Sequence, residues 1–560
     1  MTRPLEIEGG DADPCDHAAV GMDAGQGTES GVVAGLSASG AAAVIGAHIE
    51  HRADPNPQAS REPVPQPISH PVSEPVPVAA HASSEPAPMD VAERAPQAPT
   101  RADGGGAPRP LRPPEAPVSD DRAGVAVAPR VRRAPPQRSP MERFEEHVER
   151  ARRLSERRAK WAGRAERVSM VIGTLGPGGA ERQLVTLATE LRRRGRGMCR
   201  AITIREPVGN DGHHVESLAA NARLERTTPM DIAAAYECLE REGLDFLREV
   251  LAPELFWDIP PLMRMFRATQ PSVVHAWLDW SSLVAGFAAI LLPVRRVLLS
   301  TRNVAPRNFP SLDRPYLRDM YRLLLSDPRV RILNNSSAGA DDYAAWLGIR
   351  RSQIRVVRNG VDMGTIRNPG PQAVEALRDE LGLDRGARLV AGVFRLAEEK
   401  QPDTFVQVAE RILAAEPAAV VVHAGSGELE RHMQEQVAAS PHASRIRLLG
   451  RRHDVPTILS AADVCLLTSR KEGTPNVLIE AQVLGCPVVA TRAGGAPETF
   501  EHQRTGYLCE VGDAGGMAEA ALRLLGDEPL RRSMAEAAQA FATGRFSVRR
   551  MADETIELYD

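Results

Sequence analysis

The chain has 560 residues, of which 42% are hydrophobic, 25% charged and 4% aromatic, and its formal net charge is -4. This length exceeds what one hydrophobic core usually organises, so we expect two or more domains with appended segments. The near-neutral charge argues against a nucleic-acid-binding protein, because phosphate binding needs a surplus of basic residues. The six cysteines include no Cys-x-x-Cys pair, which fits a reduced cytoplasmic protein without a metal site.

The first 138 residues lack the composition of a folded core. Residues 50–138 are dominated by Pro, Ala, Arg and Glu, and this composition predicts a disordered, partly polyproline-like tail. No secretory signal is recognisable before it. Residues 31–49 are mostly Gly, Ala and Ser, which supply too little transfer energy for a membrane span.

A charged helix is predicted at residues 139–167. Phe144, Val148 and Ala151 recur at offsets of three and four, which is helical spacing. We expect a solvated helix that packs lightly on the following domain, with a coiled coil or a contact with anionic lipid as the alternative.

From Val168 onward, short apolar runs alternate with amphipathic helices. One series occupies residues 168–362, with a mostly helical insertion at about 210–265, and a second series occupies residues 363–545. Such alternation predicts the α/β class with parallel sheets. We therefore expect two doubly wound, Rossmann-like domains that face each other across a cleft, with ligand at the carboxyl ends of the strands.

The most specific segment runs from Glu472 to Glu480. Thr474 and Pro475 suit an N-cap and a first helical position, so we expect a helix from there through Leu484. A helix N-terminus presents free amides and favours anions. Glu472 and Glu480 would flank this anion site, one facing a sugar and the other a ribose.

Two further segments carry charge or glycine at strand-to-helix loops. Arg395 and Lys400 follow the first predicted strand of the second series, where two cations can clamp a diphosphate and stabilise its departing charge. Gly178 and Gly179 precede a helix in the first series, and glycine there lets the backbone approach phosphate closely.

Together these motifs resemble glycosyltransferase family 4, whose members have the GT-B fold. The resemblance rests on Gly-Gly-Ala-Glu-Arg at 178–182, Asn-Gly-Val-Asp at 359–362, Arg395 with Lys400, Gly-Ser-Gly at 425–427, and Glu472 eight residues before Glu480. It covers about residues 168–560 and is most specific at 390–498. The resemblance implies retaining transfer from a nucleoside diphosphate sugar, without cofactor or required metal. It also implies that residues 546–560 form a helix returning to the first domain.

The resemblance also assigns roles to individual residues. Arg395 and Lys400 would hold the diphosphate, Glu472 would contact the donor sugar, and Glu480 would bind the ribose. His275 would serve the acceptor side, although Trp277 replaces the second His of the usual His-x-His pair; a packed histidine, with Asp279 as the polar contact, is the alternative. The remaining donor-binding positions are Gly178, Gly179, Gly425, Gly427, Arg451 near the base, Gly473, Thr474, Asn476 and Val477.

The implied partners are a nucleotide-sugar donor and a glycan or lipid-linked acceptor, without nucleic acid. Polysaccharide or lipid-linked glycan synthesis is the expected context, in the cytoplasm or peripherally at an anionic membrane face. Two other enzyme classes are less favoured: a sugar-nucleotide epimerase because of the combination of Arg395 and Lys400 with Glu472 and Glu480, and a sugar phosphorylase because no pyridoxal-type lysine site is recognisable. A scaffold with a degenerate transferase domain is the non-enzymatic alternative.

Overall fold

The computed structural model describes residues 138–161, 167–195, 199–205, 212–364, 366 and 369–560. The predicted tail, apart from its last residue, lies outside these residues. Among the described helices, none combines the length and apolar character needed to cross a membrane.

The first helix, α1, spans Pro140–Trp161. Ser139 and Glu142 close its first turn with reciprocal hydrogen bonds, as in a capping box. Phe144 and Ala151 are 2% and 5% exposed, and Arg143 donates to Asp245 at 2.8 Å. The apolar stripe of α1 therefore packs against the first α/β domain.

The first domain is built on a seven-stranded parallel sheet with the order β3-β2-β1-β4-β5-β6-β7. Its strands are β1 Val168–Ile172, β2 Cys199–Thr203, β3 Arg223–Arg226, β4 Val273–Trp277, β5 Arg296–Ser300, β6 Val330–Asn334 and β7 Ile354–Val356. Its helices are α2 Gly179–Arg193, α3 Val215–Ala219, α4 Ile232–Arg241, α5 Ile259–Thr269, α6 Asp279–Ile290, α7 Leu317–Leu325 and α8 Ser337–Leu347. Strand β3 lies in the insertion expected to be mostly helical. Its Arg-Leu-Glu-Arg sequence gives little apolar signal because it forms a charged edge of the sheet.

The second domain has a six-stranded parallel sheet with the order β10-β9-β8-β11-β12-β13. Its strands are β8 Arg388–Val393, β9 Ala419–Ala424, β10 Ile446–Leu448, β11 Val464–Leu467, β12 Val488–Thr491 and β13 Gly506–Cys509. From Pro371 onward the helices are α9 Pro371–Glu380, α10 Pro402–Ala415, α11 Glu430–Ala439, α12 Val455–Ala461, α13 Asn476–Val483, α14 Ala514–Gly526, α15 Glu528–Arg545 and α16 Val548–Tyr559. The edge strand β13 is an addition to the predicted strands.

Both sheets reverse their strand order at an internal point, between β1 and β4 in the first and between β8 and β11 in the second. Open parallel sheets bind ligands at the carboxyl ends of strands beside such a reversal. The predicted fold class, two doubly wound α/β domains, is confirmed. The loops that follow these strands are where the site must be sought.

The chain passes between the domains twice, at neighbouring positions. Val361 N donates to Phe546 O at 2.7 Å, and Val548 N donates to Val361 O at 3.1 Å. After this crossing, α16 lies on the first domain, where Met551 and Tyr559 are each 1% exposed within the cluster that includes Leu184 of α2. The last helix thus completes the core of the first domain.

Candidate functional site

The helix expected to begin at Pro475 begins at Asn476 instead, and Thr474 does not cap it. Thr474 Oγ1 donates to Asn335 O of the first domain at 2.7 Å. The prediction of a Thr474 cap was wrong because a contact between domains takes the hydroxyl that local sequence would assign to the helix. The helix still directs its N-terminal end towards the domain junction and carries Glu480 in its second turn.

Lys400 and Glu472 form an ion pair at the carboxyl ends of two adjacent strands, β8 and β11. Lys400 Nζ donates to Glu472 Oε1 at 2.5 Å, and Ser469 Oγ donates to the same oxygen at 2.6 Å. The two charged side chains are only 19% and 8% exposed. The carboxylate is therefore held in one place, and the ammonium is placed where a diphosphate could compete for it.

Arg395 lies apart from this pair. Its side chain is 60% exposed and donates to Glu399 at 2.7 Å and to Glu428 at 3.4 Å. The structure thus brings Lys400 to Glu472 and leaves Arg395 neutralised at the surface. To contact a diphosphate, Arg395 would have to exchange these two carboxylates for phosphate oxygens.

The predicted glycines at 425 and 427 lie against the loop that carries Arg395. A Cβ atom on Gly425, whose φ is +151°, would come within 1.9 Å of Phe394 O. A Cβ atom on Gly427 would come within 2.3 Å of Leu396 O. Glycine is required here because the loops after β8 and β9 approach each other backbone to backbone.

Glu480 is paired across the cleft rather than free. Its carboxylate forms an ion pair with Arg182 of α2. Burial raises the pKa of Glu480, and the positive charge of Arg182 opposes that rise. The loop before α2 is also close, since Asn476 Nδ2 donates to Gly179 O at 3.3 Å, and the Glu181 carboxylate lies against Gly178.

A buried amide network joins the domains at the Asn-Gly-Val-Asp motif, residues 359–362. Gln183 exchanges two hydrogen bonds with Gly360, at 2.9 and 2.8 Å. Asn359 Nδ2 donates to Asn476 Oδ1 at 2.6 Å and to Thr474 O at 3.0 Å. No role for Gln183 was predicted from the sequence. Its position directly after the Gly-Gly-Ala-Glu-Arg motif is the sequence feature that could have indicated one.

The remaining donor-side positions, Gly473 and Val477, differ in their surroundings. A Cβ atom on Gly473 would lie 2.4 Å from Arg302 O and 2.8 Å from Asn335 Oδ1, so glycine allows the two domains to touch. Val477 is half-buried and packs against the core of the second domain. Its side chain therefore serves packing, which leaves its backbone amide as the group that could face a ligand.

His275 is buried, and this burial argues against its predicted contact with an acceptor. It is 1% exposed, and its ring nitrogens are bonded to Tyr559 Oη at 3.0 Å and Ser300 Oγ at 2.8 Å. Burial lowers its pKa to about 3. Asp279 is likewise internal and accepts hydrogen bonds from Tyr321 and Tyr343 at 2.7 and 2.6 Å. Both groups stabilise the first domain.

Arg451 lies near a cluster of three histidines, which was not predicted from the sequence. His213 of the first domain stacks on His453 of the second, with ring centroids 5.6 Å apart, and His214 meets His213 edge to face at 4.7 Å. The charge of Arg451 is one of the causes that lower the pKa of His213, after burial. Within the described residues, no group of three or more His, Cys, Asp or Glu side chains is arranged to hold a metal ion.

Two family models match successive parts of the chain. The model described as Glycosyltransferase Family 4 matches residues 177–364. The model described as Glycosyl transferases group 1 matches residues 373–541. The junction between them lies at the linker that follows Asn359.

Curated relatives and solved structures agree with these models. The chain is 28% identical over 407 residues to the Vi polysaccharide biosynthesis protein VipC/TviE of Salmonella typhi, covering 69% of this chain and 70% of that protein. It is 26% identical over 304 residues to an Escherichia coli UDP-Gal:alpha-D-GlcNAc-diphosphoundecaprenol alpha-1,3-galactosyltransferase, covering 53% and 77%. Anabaena HepE, crystallised with UDP and glucose, has a TM-score of 0.58 at 20% identity over 70% of this chain and 99% of its own. The chain therefore belongs to the group 1 glycosyltransferases, is similar to family 4 and has the GT-B fold.

Proposed function

We propose that this glycosyltransferase moves a sugar from a nucleoside diphosphate sugar to a glycan or lipid-linked acceptor, with retained anomeric configuration and without a divalent metal. The observation that carries the proposal is the Lys400–Glu472 pair at the junction of β8 and β11. A half-buried cation and a buried carboxylate at this place suit the two ends of a sugar diphosphate. The N-terminus of α13 adds free amides beside them.

In the proposed reaction, Lys400 and the amides at the start of α13 neutralise the diphosphate as the bond between the anomeric carbon and the phosphate oxygen breaks. Glu472 accepts hydrogen bonds from hydroxyls of the transferred sugar and holds that sugar in place. The acceptor hydroxyl bonds to the same face of the anomeric carbon, and its proton passes to the departing phosphate oxygen. Glu480 binds the ribose after Arg182 has moved away from it.

Arg395 contributes to the diphosphate site only after a rearrangement. Its present partners are Glu399, whose side chain is 20% exposed, and Glu428, whose side chain is 61% exposed. An exposed ion pair contributes little net stability. A diphosphate with several negative charges is therefore a stronger partner for Arg395 than either glutamate.

The lipid-linked acceptor is proposed by analogy with the Escherichia coli relative, whose name includes a diphosphoundecaprenol-linked sugar. A peripheral contact with an anionic membrane stays a prediction. Arg152 and Arg153 of α1 are paired with Glu149, and Arg193 and Arg194 of α2 with Glu190. Flotation with vesicles of neutral lipid, and of neutral lipid containing phosphatidylserine, tests whether these helices still attract an anionic surface.

A donor screen tests the proposed function. Purified protein is incubated with a panel of sugar nucleotides, and release of nucleoside diphosphate is measured with and without simple glycoside acceptors. Lys400→Gln should lower the rate at saturating donor by about a hundredfold or more, because it removes a positive charge that stabilises the departing diphosphate in the transition state. Arg431→Gln removes an exposed cation that is 90% accessible on α11 and is the matched control. Equal rates for Lys400→Gln and wild type would contradict the proposal.

A further inference from the structure

Within the part of the chain that the structure describes, one buried arginine at the domain junction has no anionic partner. Arg302 follows β5 and is 8% exposed. Its Nη2 donates to Asn359 Oδ1 at 2.6 Å, and its guanidinium carbon lies 4.5 Å from the centre of the Trp277 ring. Its Nε is buried without a hydrogen-bond partner, and among the described residues no carboxylate forms an ion pair with it.

A second buried arginine in the same domain shows what a structural role requires. Arg329 is 5% exposed and binds Asp327 with Nε and Nη2. It also donates to the carbonyl oxygens of Leu292, Val294 and Ile290. Arg329 therefore has an anion and a full set of acceptors, whereas Arg302 has one amide oxygen and an aromatic face.

This difference has an energetic consequence. A buried charge without an opposite charge is strongly disfavoured, and among the described residues the hydrogen bond to Asn359 and the Trp277 face offset the cost at Arg302. Burial lowers the pKa of Arg302 to about 9. Its backbone is also in the left-handed region, with φ +65°, which is uncommon for a residue with a side chain. Strain and an uncompensated charge at one residue are features that accompany binding sites.

The position of Arg302 identifies which part of a substrate it would meet. Its carbonyl oxygen touches Gly473, the residue after Glu472. Its guanidinium contacts Asn359, which in turn bonds to Thr474 O and Asn476 at the start of α13. Arg302 therefore lies beside the place where the proposed transfer occurs.

We propose that Arg302 binds an anionic group, a carboxylate or a phosphate, that a substrate carries next to the point of transfer. The inference rests on the proposed function for the location of that point. Guanidinium is suited to this role because its planar N–H groups match both oxyanions in a bidentate manner. Two sources have this chemistry: the transferred sugar of the donor, and the acceptor.

The first experiment asks whether the donor is the source. Calorimetry compares UDP-glucuronate with UDP-glucose, which differ in the carboxylate at C6, in wild type, Arg302→Gln and Arg302→Lys. If the donor carries the anion, wild type should prefer the glucuronate by about tenfold or more, since a charge-assisted hydrogen bond is of this order. Arg302→Gln should lose that preference and keep its affinity for UDP.

The second experiment asks whether a free anion binds at Arg302. Inorganic phosphate is titrated into Lys400→Gln, which lacks the proposed diphosphate cation, and into Lys400→Gln/Arg302→Gln. Phosphate binding that disappears in the double variant, with no preference between the two donors, identifies the acceptor as the source. Arg331→Gln in the Lys400→Gln background is the control, because Arg331 lies on the adjacent strand β6 and donates to the nearby carbonyl oxygens of Pro328 and Val330.

These outcomes separate a binding role from a structural one. If Arg302→Gln only lowers the melting temperature, while donor preference and phosphate binding equal those of its parent, the inference is overturned. If Arg302→Gln does not fold, Lys400→Gln/Arg302→Lys retains the charge at position 302 and should bind phosphate about three- to tenfold more weakly than Lys400→Gln alone. If wild type binds neither UDP nor GDP, the proposed function is contradicted. The phosphate titration needs no nucleotide, so it still decides whether Arg302 binds an anion.

Discussion

Arg182 of α2 and Glu480 of α13 form an ion pair that joins the two domains across the cleft. The two side chains are unequally covered, with Arg182 42% exposed and Glu480 8% exposed. Glu480 is also the carboxylate assigned to the donor ribose by the resemblance to family 4. In the proposed role of Glu480, nucleotide binding would compete with the domain contact for this carboxylate.

Arg182→Gln should destabilise the protein in a pH-dependent way. Burial already holds the pKa of Glu480 above its ordinary value, and loss of the Arg182 charge should raise it further. The stability contributed by such a group is present below the unfolded pKa, near 4.5, and is lost as pH rises through the folded pKa. The variant should thus melt near the wild-type temperature at about pH 4.5 and about 2 to 6 °C lower at about pH 8.

Two variants check this explanation of the Arg182 effect. Arg193→Gln removes a cation from the same helix but leaves Glu190 bonded to Arg194, so its melting temperature should follow wild type at every pH. Arg182→Gln/Glu480→Gln removes the buried charge and should recover most of the loss at high pH. A deficit of Arg182→Gln that is equal at all pH values would refute the role of Glu480.

Glu472→Gln and Glu480→Gln should fail in different ways. Glu472 is held by Lys400 and Ser469 next to the proposed transfer point, so its loss should lower the turnover rate by about a hundredfold or more while nucleoside diphosphate still binds. Glu480→Gln should weaken binding of donor and nucleoside diphosphate alike by about 1.5 to 3 kcal/mol. Calorimetry beside saturation kinetics measures both, and the reverse pattern would exchange the two roles.

His275→Gln should affect stability rather than substrate binding. The substitution disturbs the buried bonds to Tyr559 and Ser300, at a cost of about 1 to 3 kcal/mol. Between about pH 6.5 and 3 the unfolded chain takes up a proton that the folded His275, with its pKa of about 3, does not. Stability therefore falls as pH falls through this window, and the fall should be shallower in His275→Gln.

Part of this acid sensitivity should remain in the His275 variant. Burial also lowers the pKa of His423 and of His214 to about 4, so both contribute with the same sign. Tyr559→Phe removes the partner of His275 Nδ1 and serves as the control for packing. A large rise in the KM for the acceptor in His275→Gln, with an unchanged melting temperature, would restore the predicted role of this residue on the acceptor side.

Transfer should survive removal of divalent cations. The proposed site neutralises the diphosphate with Lys400, with Arg395 after its rearrangement, and with the amides at the start of α13. Initial rates are compared before and after treatment with EDTA, and again after Mg²⁺ or Mn²⁺ is added back. Complete loss of activity that the metal restores would show that a cation supplies charge not provided by these side chains.

A truncated chain that begins at residue 138 should fold and bind donor as well as the full chain. The composition of the preceding residues predicts no core. A chain that begins at residue 167 also lacks α1, exposes the surface that covers Phe144 and loses the Arg143–Asp245 bond, so it should melt at a lower temperature. Hydrogen exchange of the full chain gives an independent check, since slow exchange across residues 50–138 would contradict the predicted tail.

The periodicity of the sequence was sufficient to predict two doubly wound domains, because their buried strands are short apolar runs set between amphipathic helices. The exceptions are instructive. Strand β3 is a charged edge and carries little apolar signal. The sequence could have predicted that Lys400 pairs with Glu472, because each residue follows a strand and those two strands are neighbours in a sheet of this type.

What the sequence determined by itself is local: apolar periodicity, and the short motifs that place Lys400, Glu472 and Glu480 after strands or on a helix. The tertiary structure alone decided that Arg182 pairs with Glu480, that His275 is enclosed by Tyr559 and Ser300, and that Arg302 binds the Asn359 amide and no carboxylate of the described residues. These pairings join residues that are distant along the chain, such as 275 and 559. Whether a charge is paired or alone depends on which groups folding brings within hydrogen-bond distance, and spacing along one chain does not contain that information.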